Sequence, residues 1–246
     1  MGKTFKIFNN IDELSYSFAQ QIIANIQKKN EGHYFSLALS GGSTPKAVFI
    51  YLASNFKDTI SWNKILIFWG DERCVEPEND ESNYKMAKEN LLDHIPIPEK
   101  NIFRITGENE PIKESVRYFE TVKKYVPVID EVPQFDLIML GLGDDGHTAS
   151  IFPNNPVLYK SNKLFEATEN PYTKQKRITA TFKLINHASN VVFFVTGKSK
   201  SEMISRILER KKGWEELPAS MVRPVDGELI WLLDEGAAME LKRDNH

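Results

Sequence analysis

The stretch FDLIMLGLGDDGHTASIFP, Phe135 to Pro153, passes without a break from an apolar run into three glycines, two aspartates and a histidine. A short apolar run bounded by glycine reads as a buried strand. The same pattern recurs in YFSLALS, KILIFWG, NVVFFVT and ELIWLL. Helix-period segments lie between these runs. Ile11, Leu14, Phe18, Ile22 and Ile26 share one face, and Asn30-Glu31-Gly32 supplies the stop. A helix is expected to start at Thr44-Pro45, because proline suits the first helical position. Ser82 is placed to cap the helix NYKMAKENLL. Further helices are expected around Ile112 to Tyr125 and from about Ser199 to Arg210, with RITATFKL between them. Apolar strands alternating with helices predict an α/β fold, a mostly parallel sheet flanked by helices. No Pro/Gly/Ser-rich linker or internal repeat divides the chain, so one domain over residues 1–246 is expected. The run ERKKGWEE reads as a solvated helix end and loop.

Composition narrows the function classes. The 246 residues are 41% hydrophobic and 26% charged, which fits a chain able to bury a core and argues against disorder. The net charge of −3 offers no general basic field for nucleic acid. An anionic ligand would have to be held by a few local cations and backbone amides. Cys74 is the one cysteine, which rules out an internal disulfide and fits a reducing compartment. MGKTFKIFNN lacks the apolar segment and cleavage site of a signal peptide. Gly2 lacks the downstream Ser or Thr of a myristoylation signal. With no window approaching a membrane span, a soluble, cytoplasmic protein is expected, and no obligatory protein partner is evident. His33, His94, His187 and His246 share no metal-ligand spacing with one another or with Cys74, so no structural zinc is expected. The four tryptophans read as packing residues.

In open α/β sheets ligands gather beyond the carboxyl ends of the strands, so four loops carry the functional reading. In LALSGGSTPKAVF, Gly41 and Gly42 let the backbone approach a ligand, Ser43 and Thr44 add hydroxyls, and the following helix aims its N–H groups at the same point. A plain turn with a helix cap fits equally well, and neither a Walker loop nor a GxGxxG fingerprint is present. In FWGDERCVEPENDESNY, Arg73 follows a strand directly and offers a bidentate grip on phosphate or carboxylate beside Asp71 and Glu72. Taken alone, that triplet reads as a surface salt bridge, the commoner fate of Asp-Glu-Arg. In GLGDDGHTASIFP, the glycines permit a tight loop carrying His147, a natural general base, with Asp144 or Asp145 to hold its tautomer. No nucleophile elbow is present. Last, Arg177 leads KRITATF, and Lys198 and Lys200 stand at a helix start, where a lysine opposes the dipole unless it meets an anion.

The motifs LSGGSTP, GDERCV with SNY, GLGDDGHTASIFP and RITATF resemble, in order and spacing, those of the 6-phosphogluconolactonase family, over Leu39 to Phe182. VVFFVTGKSKSE and LPAS extend the likeness toward the C-terminus. Glu76 departs from a proline common in that family. The resemblance implies the α/β fold shared with glucosamine-6-phosphate deaminases and ribose-5-phosphate isomerases. It further implies hydrolysis of 6-phospho-D-glucono-1,5-lactone without a metal or organic cofactor. His147 would match the general base, Arg73, Arg177 and Lys200 the cations around the sugar phosphate, and Gly42, Ser43 and Thr44, beside Gly41, its backbone cradle. Asp71 and Asp145 match acidic positions of the pocket, with Asp145 favoured over Asp144. Two alternatives are a glucosamine-6-phosphate deaminase and a non-catalytic sugar-phosphate sensor. The deaminase motif resembles HIAFNEP and carries a glutamate five residues beyond its histidine, where this chain has Phe152. A sensor would be expected to bring a basic DNA-binding segment and to lose the histidine.

Overall fold

The computed structural model describes residues 3–242. The chain begins with β1 (Lys3–Phe8), α1 (Ile11–Gln27), β2 (Phe35–Leu39) and α2 (Ser43–Asn55). Then come β3 (Ile65–Trp69), β4 (Asp71–Arg73), α3 (Asn83–Asn90) and α4 (Pro111–Tyr125). A short hairpin of β5 (Val128–Ile129) and β6 (Val132–Pro133) leads into β7 (Leu137–Leu140). After the one-turn helix α5 (Pro156–Tyr159) follow β8 (Phe165–Glu169), β9 (Lys176–Ala180) and the one-turn α6 (Phe182–Ile185). The chain closes with β10 (Asn190–Val195), α7 (Ser201–Leu208) and β11 (Glu228–Asp234).

Six strands form one parallel sheet in the order β1-β11-β10-β7-β2-β3. Strands β2, β3 and β7 are buried along their whole length, as expected where helices cover both faces of a parallel sheet. Across β10 and β11 the rings of Phe193 and Trp231 stack at 3.8 Å, and the edge of Phe18 from α1 meets Phe194 at 4.7 Å. Trp62, Trp69 and Trp231 are core residues, whereas Trp214 lies half-exposed with the guanidiniums of Arg210 and Arg223 each 5.2 Å from its ring. Among the described residues no helix is long and apolar enough to cross a membrane.

The structure departs from the sequence reading in a few elements. A second, antiparallel sheet, β4-β9-β8, stands beside the first, so GDER enters a strand where a loop was expected. β1 was not anticipated; it is an edge strand whose Phe5 and Ile7 stay part-exposed, which blunts the apolar signal. α2 starts one residue early, with Gly42 at its N-cap in a left-handed conformation, φ 107°. α7 is shorter than expected at both ends: Lys198–Lys200 form a separate 3₁₀ turn, and the helix stops at Leu208, two residues before Arg210 turns to φ 55°. Gly2 and His246 lie outside the described residues.

One buried hydroxyl links the helix layer to the end of β3. Tyr118 of α4 accepts from the Trp69 backbone N–H at 2.8 Å and donates to the Phe103 carbonyl at 3.1 Å. Tyr118→Phe leaves the Trp69 N–H buried and unpaired, a cost of ~1–3 kcal/mol. Urea unfolding should show a lower midpoint at unchanged slope, and an unchanged midpoint would refute this role.

Candidate active site

Strands β3, β2, β7 and β10 lie side by side and parallel, so their carboxyl ends open on the same edge of the sheet. The loops that follow them, together with β9, enclose a cleft of about 200 Å³. The structure brings Gly41, Gly42, Ser43, Thr44, Asp71, Arg73, His147, Arg177 and Lys200 to its wall, and Asp145 directly behind His147. Lys198 is exposed and outside that wall.

On the first side stands the beginning of α2. The first N–H groups of a helix have no intrahelical acceptor, so those of Ser43 and Thr44 are available there. Gly41 must lack a side chain, because a Cβ would fall 2.0 Å from Asn83 Oδ1. The hydroxyls of Thr44 and Thr196 meet at 2.8 Å and tie this loop to the one after β10.

The second side carries charge. Arg73 and Arg177 face each other across the β4–β9 pair. Opposed like charges destabilise a sheet, and burial together with the Arg73 guanidinium pushes Arg177 below its ordinary pKa. The Nε atoms of both arginines are buried without a protein acceptor. Arg73 Nη1 donates to the Glu81 carbonyl. Asp71, 5% exposed, is the local counter-charge, and the Ser150 hydroxyl donates to its Oδ2 at 2.7 Å. Alternation along β4 turns Glu72 the other way, beneath α3, where it is 2% exposed. Burial pushes its carboxyl up to about 7, against the pull of three backbone N–H groups, Arg73, Asn83 and Tyr84, at 2.7–2.8 Å. Those contacts hold the start of α3 against β4, and with it Asn83, whose side chain donates to the Asp71 carbonyl at 3.0 Å.

The third side is the glycine-rich loop. Asp145 Oδ1 accepts both the backbone N–H of His147 at 3.0 Å and its ring Nδ1 at 2.6 Å. Burial raises the Asp145 pKa, but the hydrogen bonds from His147 outweigh it and hold the carboxyl at about 2. The carboxylate is therefore an acceptor only, Nδ1 carries the proton, and Nε2 is left as the basic nitrogen. Gly143 makes room for the ring, because a Cβ there would lie 2.0 Å from Nδ1. Phe152 packs against the ring at 4.7 Å between centroids. Asp144, mostly exposed, pairs instead with Lys200. Among the described residues no group of three or more His, Cys, Asp and Glu side chains is arranged to hold a metal ion.

A parallel α/β sheet that gathers a His–Asp pair and opposed arginines around one cleft defines an α/β protein with a polar pocket of small-molecule size at the carboxyl ends of its strands. The model of the glucosamine-6-phosphate isomerases/6-phosphogluconolactonase family matches residues 9–231, and the chain belongs to that family. It is 40% identical over 224 residues to the 6-phosphogluconolactonase of Synechocystis sp., covering 90% of each chain. To the 6-phosphogluconolactonase of Haemophilus influenzae it is 37% identical over 230 residues, covering 91% of this chain and 97% of the other. The crystal structure of 6-phosphogluconolactonase from Leishmania guyanensis superposes with a TM-score of 0.86 at 26% identity, covering 99% of this chain and all of that one.

An anion between the arginines relieves their repulsion, so inorganic phosphate should stabilise the fold. At 100 times its Kd the gain is about 2.7 kcal/mol, read as a rise of several degrees in Tm by scanning calorimetry. Arg73→Ala with Arg177→Ala should abolish the rise; a rise that persists would put the anion elsewhere.

Proposed function

We propose that this chain hydrolyses 6-phospho-D-glucono-1,5-lactone to 6-phospho-D-gluconate, the activity named for its curated relatives. The observation that carries the reading is the meeting, in one cleft, of two arginines, a lysine and a helix start with a histidine whose ring nitrogen is held by a carboxylate.

The phosphate, carrying roughly −1.5 to −2 charges near neutral pH, binds the N–H groups at the start of α2 together with Arg73, Arg177 and Lys200. Anchoring that end positions C1 beside His147. Nε2 takes a proton as water attacks C1, giving a tetrahedral oxyanion. The oxyanion collapses, the bond between C1 and the ring oxygen breaks, and the imidazolium returns its proton to that oxygen. Asp145 stays ionised throughout and stabilises the imidazolium in between. Asp71 keeps the arginines from unopposed repulsion and borders the sugar. No covalent intermediate is required, since a δ-lactone is already an activated ester. The single cysteine, half-buried and free, fits action in a reducing, cytoplasmic setting.

His147→Ala should lose about 10²–10⁴-fold in kcat over the spontaneous background, the usual contribution of a general base. The measurement is decay of freshly made lactone at neutral pH, with circular dichroism to show that the variant is folded. Folded wild type that does not accelerate the decay would refute the reading. Gly143→Ala should keep KM within a few-fold but lose about 10² in kcat, because the displaced imidazole no longer meets C1. An unchanged kcat would separate the ring position from catalysis.

A further inference from the structure

The Asp145 carboxylate has a second partner that the mechanism above does not use. Its Oδ1 is occupied by His147, while Oδ2 accepts the hydroxyl of Tyr172 at 3.0 Å. Tyr172 comes from the turn between β8 and β9 and is 70% exposed, so packing does not account for its orientation. The turn itself is firmly built. Asn170 Oδ1 accepts the backbone N–H groups of Tyr172 and Thr173 at 2.8 and 3.1 Å, an Asx turn that fixes where residue 172 points. The backbone closes below it through Asn170 N–H to Gln175 O at 2.9 Å. Gln175 then reaches Glu81 at 2.8 Å, whose carbonyl holds Arg73, and Arg177 follows two residues on.

We propose that Tyr172 is a positioning residue for the His147–Asp145 pair, joining the arginine-bearing hairpin to the catalytic loop through the second carboxylate oxygen. This rests on the lactonase reading of the same site. With Oδ1 and Oδ2 held from opposite sides, the carboxylate cannot rotate away from the imidazole. The phenol also draws on the charge that would otherwise act on the ring alone, so it moderates how strongly Asp145 stabilises the imidazolium. The groups facing this carboxylate are His147 from its own loop, Tyr172 from the hairpin and Tyr159 from α5, with the Asp144–Lys200 pair next to it.

Tyr172→Phe tests this, because it removes the hydroxyl and keeps the ring. The variant should fold with unchanged Tm, keep KM within twofold, and lose about three- to tenfold in kcat, the range of one net hydrogen bond. Its sign on pH dependence is distinctive. Without the phenol the carboxylate favours imidazolium more, so the acid limb of the kcat profile moves to higher pH. Asp145→Asn should move it to lower pH, and Tyr172→Phe made in that background should have no further effect. The same opposite shifts should appear in the His147 ring titration followed by NMR, assigned against His147→Ala. That readout does not depend on turnover. An inactive wild type would therefore refute the lactonase reading, while the titration still decides the role of Tyr172. Unchanged kcat and an unmoved titration in Tyr172→Phe would overturn the proposal, as would an equal loss in the Asp145→Asn background.

Discussion

Four neighbouring strands running parallel impose the constraint on which the site depends. Because β10, β7, β2 and β3 point the same way, the loops that follow them must emerge on one edge of the sheet. Residues as distant in sequence as Thr44 and Thr196 therefore meet within hydrogen-bonding distance. The antiparallel β4-β9-β8 sheet then closes the remaining side and brings its two arginines into register. Neither sheet alone would form the cleft: one presents a helix start and a histidine, the other presents charge.

Electrostatics at the cleft is local rather than global. The chain is net acidic, yet two guanidiniums face each other across a strand pair, with Asp71 as their buried counter-charge. An opposed pair of this kind is a standing cost in the fold. The glycine-rich loop works by a different principle, close approach. Gly143 and Gly41 stand where any Cβ would collide with His147 or Asn83. Tight backbone passage is what brings the imidazole of His147 and the side chain of Asn83 up against the chain without filling the cleft between them.

Much of this was legible in the sequence, and what was missed has physical causes. Long apolar runs and helix periodicity mark buried strands and amphipathic helices, so five strands of the main sheet, β2, β3, β7, β10 and β11, could be read directly. β1 was lost because Thr4 to Ile7 are all exposed at the sheet edge and alternate polar with apolar residues, and β8 and β9 because FEATE and KRITA mix polar residues into short strands. Reading DER as a strand would have predicted that Asp71 and Arg73 share a face and Glu72 opposes them. The choice between Asp144 and Asp145 turns on a local rule: an aspartate accepts most readily from the backbone two residues on, and only Asp145 stands in that relation to His147. Ser150, Asn83 and Tyr172 hold Asp71 or Asp145 across 79, 12 and 27 residues, separations that no local pattern encodes.

The account turns on one orientation: phosphate at the arginines and the start of α2, C1 at His147. A crystal structure with 6-phospho-D-gluconate tests this most directly. The account predicts phosphate oxygens within hydrogen-bonding distance of Arg73, Arg177 and the Ser43 and Thr44 N–H groups, and the C1 carboxylate against His147 Nε2. A product bound the other way round, with its carboxylate on the arginines and its phosphate beside His147, would contradict it.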